Sequence, residues 1–173
     1  MIPLKNEIVN CKICDYGSIL QNTYSELNPH FGKLLPNQKS EIVKYFFIGL
    51  NPSLRRFPGS TMITYEGNPF TELLKKIGIY DQSYFTNLVK CSSFDNKVDI
   101  KHCDICFEQF LKRELEIIKP QYIICLGNQV FEYMKTKHDP IYKIKHPSYY
   151  YAYKKEPELI YEKEIKTLLG FLK

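Results

Sequence analysis

Lys44-Tyr45-Phe46-Phe47-Ile48-Gly49-Leu50 is a near-continuous apolar run, and Asn51-Pro52-Ser53 turns the chain directly after it. Such composition suits a strand buried on both faces, as in a parallel sheet covered by helices. Tyr122-Ile123-Ile124-Cys125-Leu126 repeats the pattern and stops at Gly127. Tyr84–Lys90 and Ile141–Lys145 read as two further strands. Between the strands the spacing becomes helical. Pro69–Ile77 lines up Phe70, Leu73, Leu74 and Ile77, and Asp104–Lys119 lines up Phe107, Phe110, Leu111, Leu115 and Ile118 before Pro120 ends it. Asn128–Lys137 is a third helix and Pro157–Lys173 a fourth, with Leu159, Ile160, Ile165, Leu168 and Leu169 directed inward. This alternation predicts an α/β fold, a three-layer α/β/α sandwich around a four-stranded parallel sheet.

With 173 residues and neither an internal repeat nor a low-complexity linker, residues 1–173 read as one domain. A hydrophobic content of 44% with 25% charged residues describes a soluble globule. No apolar run approaches the roughly 18 residues of a membrane span, and the first residues lack the apolar stretch of a signal peptide. The expected location is the cytoplasm. The net charge, 24 − 19 = +5, permits nucleic-acid binding without requiring it. The absence of Trp beside 14 Tyr reads as AT-rich coding bias, not function.

Cytosolic chains rarely carry structural disulfides, so a C-x2-C points to metal. Cys11 and Cys14 form that pair. Cys91 follows the second strand, and fourteen residues separate it from Cys106. Two thiolates from a terminal arm and two from the interior can close a four-sulfur site. Such a set suits Zn2+ or an iron–sulfur cluster, and spacing alone does not choose between them. Cys103, one helical turn before Cys106, is the alternative fourth ligand, while Cys125 lies inside a buried strand and reads as core.

In sheets of this kind, ligands bind in the crevice beyond the carboxyl ends of the strands. Gly49-Leu50-Asn51-Pro52-Ser53, Asn87 through Cys91, Leu126-Gly127-Asn128 and His146-Pro147-Ser148-Tyr149 leave those ends. The site is thereby located before its chemistry is known.

Taken in order, these motifs resemble the uracil-DNA glycosylase superfamily, and most closely its iron–sulfur branch, family 4. The resemblance runs from Cys11-x2-Cys14 through Gly49–Ser53, Gly67-Asn68-Pro69-Phe70, Thr86–Cys91, Cys106 with its helix to Lys119-Pro120, Leu126-Gly127 and His146-Pro147-Ser148. It implies a [4Fe–4S] cluster on Cys11, Cys14, Cys91 and Cys106, preferring Cys106 to Cys103, and cleavage of the N-glycosidic bond of a flipped nucleotide. Monomer is the form usual in the family. The first loop departs from family 4, whose Gly-Glu-Ala-Pro-Gly carries an acid. Leu50 and Asn51 stand at the Glu and Ala positions, and Leu54–Phe57 is basic. This loop is similar to that of the mismatch-specific and single-strand-selective branches. Uracil is the leading target; a mismatched pyrimidine, or a bulky modified one met in defence against viral DNA, is the alternative. A catalytically inactive iron–sulfur DNA-binding module is a third reading.

The roles follow from chemistry. Gly49 and Leu50 shape the pocket wall, and Phe70 can stack on the flipped ring. The Asn87 amide can read the base edge, since it offers one acceptor and two donors. His146 can donate to the charge developing on the base O2, for which a neutral imidazole suffices. Asn51 can orient the attacking water but cannot take its proton, which predicts a slower enzyme than acid-bearing branches. Arg55, Arg56, Lys145 and Ser148 are expected at the DNA backbone, and the resemblance implies a wedge into the duplex at Tyr149 or Tyr150. His30, His102 and His138 are expected at the surface.

Overall fold

The computed structural model describes residues 4, 7–8, 10–15, 43–52, 69–91, 93 and 97–172. Four strands form its sheet: β1 (Tyr45–Gly49), β2 (Ser83–Asn87), β3 (Tyr122–Leu126) and β4 (Tyr142–Ile144). Their order is β2-β1-β3-β4 and every pairing is parallel, as the apolar runs predict. Aromatic side chains stack across the β1–β2 register, Phe46 on Tyr84 at 4.9 Å and Phe47 on Phe85 at 5.4 Å. Such cross-strand pairs each add a few tenths to about 1 kcal/mol and help fix the register.

The helices are α1 (Pro69–Lys76), α2 (Ile100–Cys106), α3 (Lys112–Ile118), α4 (Asn128–Met134), α5 (Pro147–Tyr153) and α6 (Pro157–Phe171). Alternate β1 residues face opposite layers, as the two-residue period of a strand requires. Phe46 and Ile48 pack with α2, α3 and α4, whereas Tyr45 and Phe47 pack with α1, α5 and α6. Helix α1, which follows β1, lies in one layer and α4, which follows β3, in the other. The carboxyl ends of β1 and β3 are thus the switch point at which sheets of this kind bind ligands.

Several boundaries differ from the reading of the sequence. The Asp104–Lys119 stripe begins earlier, at Ile100, and α2 and α3 are joined by a π-helical turn, Phe107–Leu111. Lys119 then adopts left-handed backbone (φ 49°) ahead of Pro120, which ends the helix. On α6, Leu159 and Ile160 are exposed instead of inward. Glu156, itself left-handed, and Pro157 set the phase of this helix, so its buried stripe begins at Tyr161 and continues through Ile165, with Leu168 and Leu169 half-buried. Pro147, at the first position of α5, starts this helix directly after His146. No described helix is long and apolar enough to cross a membrane.

Candidate active site

Register places the first two loops side by side, because Gly49 pairs with Asn87 at the ends of β1 and β2. The contact continues past the strands: the Leu88 N–H donates to Gly49 O and the Val89 N–H to Leu50 O, both at 2.8 Å. Asn87 is buried, and its backbone carbonyl accepts from the Lys90 ammonium at 2.8 Å. A side-chain amide at this strand end, with one acceptor and two donors, is of the kind that can read a ligand edge.

The Asn51 amide nitrogen donates to Pro52 O at 3.2 Å and to Ser93 Oγ at 3.0 Å. A carbonyl only accepts, so the first bond fixes which end of the amide is nitrogen. Both amide hydrogens are then used, and the oxygen remains as an acceptor.

His146 caps α5. Its Nδ1 accepts the Ser148 backbone N–H at 3.2 Å and lies 2.7 Å from Ser148 Oγ. An acceptor Nδ1 puts the proton of the neutral ring on Nε2, leaving a donor. Burial pushes the imidazole down to about 4, so it is uncharged at neutral pH. Gly127, with φ +99°, lies against this residue: a Cβ there would stand 3.6 Å from His146 Cβ. That distance is ordinary van der Waals contact, so it is the positive φ that favours glycine at the end of β3.

All six cysteines are free thiols. Burial raises the Cys91 thiol to about 12, and Cys106, Cys14 and Cys11 each add to the rise. Burial likewise raises Cys106 and Cys11; Cys14 and Cys11 act on Cys106, and Cys14 on Cys11. Cys11, Cys14, Cys91 and Cys106 thus lie near enough for charge on one to act on another. For Cys103, raised by burial to about 11, the acting neighbours are Cys106, Asp104 and Asp99. Two buried thiols, Cys91 and Cys106, and two half-buried ones, Cys11 and Cys14, are a donor set of the kind that suits zinc or an iron–sulfur cluster. The arm is clamped beside them by the Glu7–Arg113 ion pair and by Asp15, whose Oδ1 lies 2.9 Å from His102 Nε2. His102 is thus buried, not at the surface, and one of its ring nitrogens lies with Cys14 Sγ and an Asp15 oxygen within 4.8 Å of one another. His102 and Cys106 are four apart on one helix face, a spacing that signals this placement. His138 is exposed, as expected, and His30 lies outside the described residues.

The model of the uracil DNA glycosylase superfamily matches residues 36–169. The chain belongs to that superfamily. Its relatives include proteins named type-4 uracil-DNA glycosylase from Archaeoglobus fulgidus (32% identical over 127 residues, 70% of this chain and 56% of the relative) and Sulfurisphaera tokodaii (24% over 165 residues, 91% and 70%). A third, from Saccharolobus solfataricus, is 29% identical over 161 residues, 87% of this chain and 69% of its own length. The chain thus spans 56% of the first relative.

Other residues expected in a glycosylase site are placed as follows. Tyr150 is core: it is 1% exposed and stacks on Tyr161 at 4.2 Å, so it is not available as a wedge. Tyr149, half-buried, takes the ammonium groups of Lys145 and Lys154 over its ring at 4.8 and 5.5 Å. Phe70 is fully buried, edge-on to Phe47 at 5.6 Å and tilted to Tyr161 at 5.5 Å. No face of its ring is open to a base in this arrangement. Leu50 is half-buried and Gly49 buried in β1. Arg55 and Arg56 lie outside the described residues.

Lys90 and Glu114 went unremarked in the sequence. Their buried ion pair is braced by Thr86 and Tyr84, and the Lys90 ammonium also donates to Asn87 O at 2.8 Å. A groove of about 600 Å³ lined by Phe107, Lys112, Lys119, Ile123 and Lys137 opens elsewhere, at the amino end of β3. None of the strand-end side chains lines it, so it has no part in this site.

Proposed function

We propose that this superfamily member is a monofunctional DNA glycosylase that extrudes a non-standard pyrimidine, uracil foremost, and hydrolyses its N-glycosidic bond to leave an abasic site. The observation that carries this reading is the uncharged His146 ring, whose Nδ1 is occupied and whose Nε2–H is left to donate. As the bond from the sugar C1′ to the base N1 breaks, its electron pair leaves with the base, and the Nε2–H meets the charge gathering on O2. Aimed donors of this kind are worth about 2.7–4 kcal/mol each. Asn51 Oδ1 accepts a hydrogen bond from the water that adds to C1′. The water's proton goes to solvent, since an amide cannot hold it.

Asn87 reads the base edge. Phe70 becomes a stacking platform once part of its enclosing wall moves. Lys145 and Tyr149 contact the DNA backbone, joined by Arg55, Arg56 and Ser148, although the Ser148 hydroxyl also holds His146. Cys11, Cys14, Cys91 and Cys106 hold a [4Fe–4S] cluster, as the likeness to the iron–sulfur branch suggests. The cluster supplies a tie between arm and sheet, the hydrolysis itself exchanging no electrons. The protein acts on DNA as a cytoplasmic monomer.

Labelled duplexes carrying uracil, a G·T mismatch or modified cytosines, assayed for alkali-labile abasic sites, test this reading. Cleavage of uracil duplexes supports it, and cleavage confined to a modified base transfers the activity to that substrate. Binding without cleavage of any of them would leave an inactive DNA-binding module.

A further inference from the structure

The side chain that fixes Asn51 belongs to the loop that carries a cysteine ligand. Ser93 follows Cys91 by two residues, is buried, and receives the Asn51 amide nitrogen at 3.0 Å across 42 residues of sequence. The neighbouring bond from the same nitrogen to Pro52 O spans one residue and constrains the amide only within its own loop. Ser93 therefore adds a side-chain tie, at Asn51 itself, to the backbone bonds by which Leu88 and Val89 already join the segment after β2 to the first loop. On the other side of Cys91, Lys90 anchors the same segment through Glu114, Thr86 and the carbonyl of Asn87.

We infer that Ser93 is a positioning residue for hydrolysis, holding the Asn51 amide so that Oδ1 faces the attacking water. The inference rests on the glycosylase reading above and deepens it, because it makes the cysteine-bearing loop set the orientation of a group at the reaction centre. Without the Ser93 hydroxyl, one amide hydrogen loses its acceptor and the amide can rotate about its χ2 bond, a broad, soft torsion. The damage falls on the water-addition step and leaves binding of the flipped base to Asn87 and His146 intact. A net contribution of ordinary hydrogen-bond size corresponds to roughly a threefold to tenfold loss of rate.

The test is a double-mutant cycle on single-turnover excision, using the wild type with Ser93→Ala, Asn51→Ala and the pair, and Ser93→Thr as the conservative variant. Ser93→Ala should lower the maximal rate about threefold to tenfold at unchanged half-saturating DNA concentration, and Ser93→Thr should restore it. In the Asn51→Ala background, Ser93→Ala should change the rate less than twofold. The visible absorption of the purified proteins, read alongside, should be the same for wild type and Ser93→Ala. Additive losses, a rise in half-saturating concentration alone, or an altered absorption would overturn the positioning role. A wild type that excises no base from any duplex in the panel would instead defeat the glycosylase reading, and the two failures are thereby distinct.

Discussion

His146 Nδ1 accepts the backbone N–H of Ser148 at 3.2 Å, and this bond determines what the imidazole can do. With Nδ1 occupied as an acceptor, the neutral ring carries its proton on Nε2. Burial holds the group at about 4, below the ordinary 6.5, so the unfolded chain binds more protons than the folded one between those values. His146 thus contributes stability that is fully present above about pH 6.5 and is lost as pH falls through about 4. The rate with saturating uracil duplex should stay flat from pH 8 down to about 5. An acid limb centred near 6.5 would mean that the ring is exposed and titrates normally.

Asn51→Asp replaces the amide nitrogen with an oxygen that Pro52 O repels, but Ser93 can turn its hydroxyl to donate to the carboxylate. The variant supplies the base that the first loop lacks. Its single-turnover rate at neutral pH should at least match the wild type, with a new acid limb from the carboxylate. A hundredfold fall would show that Asn51 does not hold the water.

Lys90 and Glu114 are a buried pair, with side chains 5% and 7% exposed. Removing one partner strands a charge, and Lys90→Met should lower unfolding free energy by about 3–5 kcal/mol in urea titrations. Lys90→Met with Glu114→Leu should recover most of that loss, since two apolar groups leave nothing uncompensated. Equal losses for the single and double variants would mean that packing, not charge, dominates there.

The Tyr150 hydroxyl is buried with no hydrogen-bond partner among the described residues. Leaving such a group unsatisfied costs about 1–3 kcal/mol, whereas the ring itself is well packed on Tyr161. Tyr150→Phe should therefore keep or raise the melting temperature, and Tyr150→Ala should lower it sharply. A clear loss of stability in Tyr150→Phe would reveal a bond to that hydroxyl.

The sheet was legible because doubly buried strands leave nothing but apolar residues to read, as in Tyr45–Gly49 and Tyr122–Leu126. Asn51, Asn87 and His146 could be singled out because parallel topology sends every strand end to one edge. What stayed hidden depends on contacts distant in sequence. Tyr150 is core only because Tyr161 stacks on it, and four tyrosines in five residues carry no periodicity to say so. The phase of α6 is set by the left-handed backbone at Glu156, which a stripe count over Leu159 and Ile160 cannot detect. Ser93 looks like an ordinary loop serine until the fold brings Asn51 beside it.

Single-turnover excision from a uracil duplex, wild type against His146→Ala, tests the central claim most directly. The wild type should generate alkali-labile abasic sites, and the variant should do so about 100-fold more slowly, with its visible absorption and DNA affinity retained. Equal rates for the two proteins would contradict the role given to His146. Absence of abasic sites in the wild type, across uracil, mismatched and modified duplexes alike, would contradict the glycosylase assignment itself.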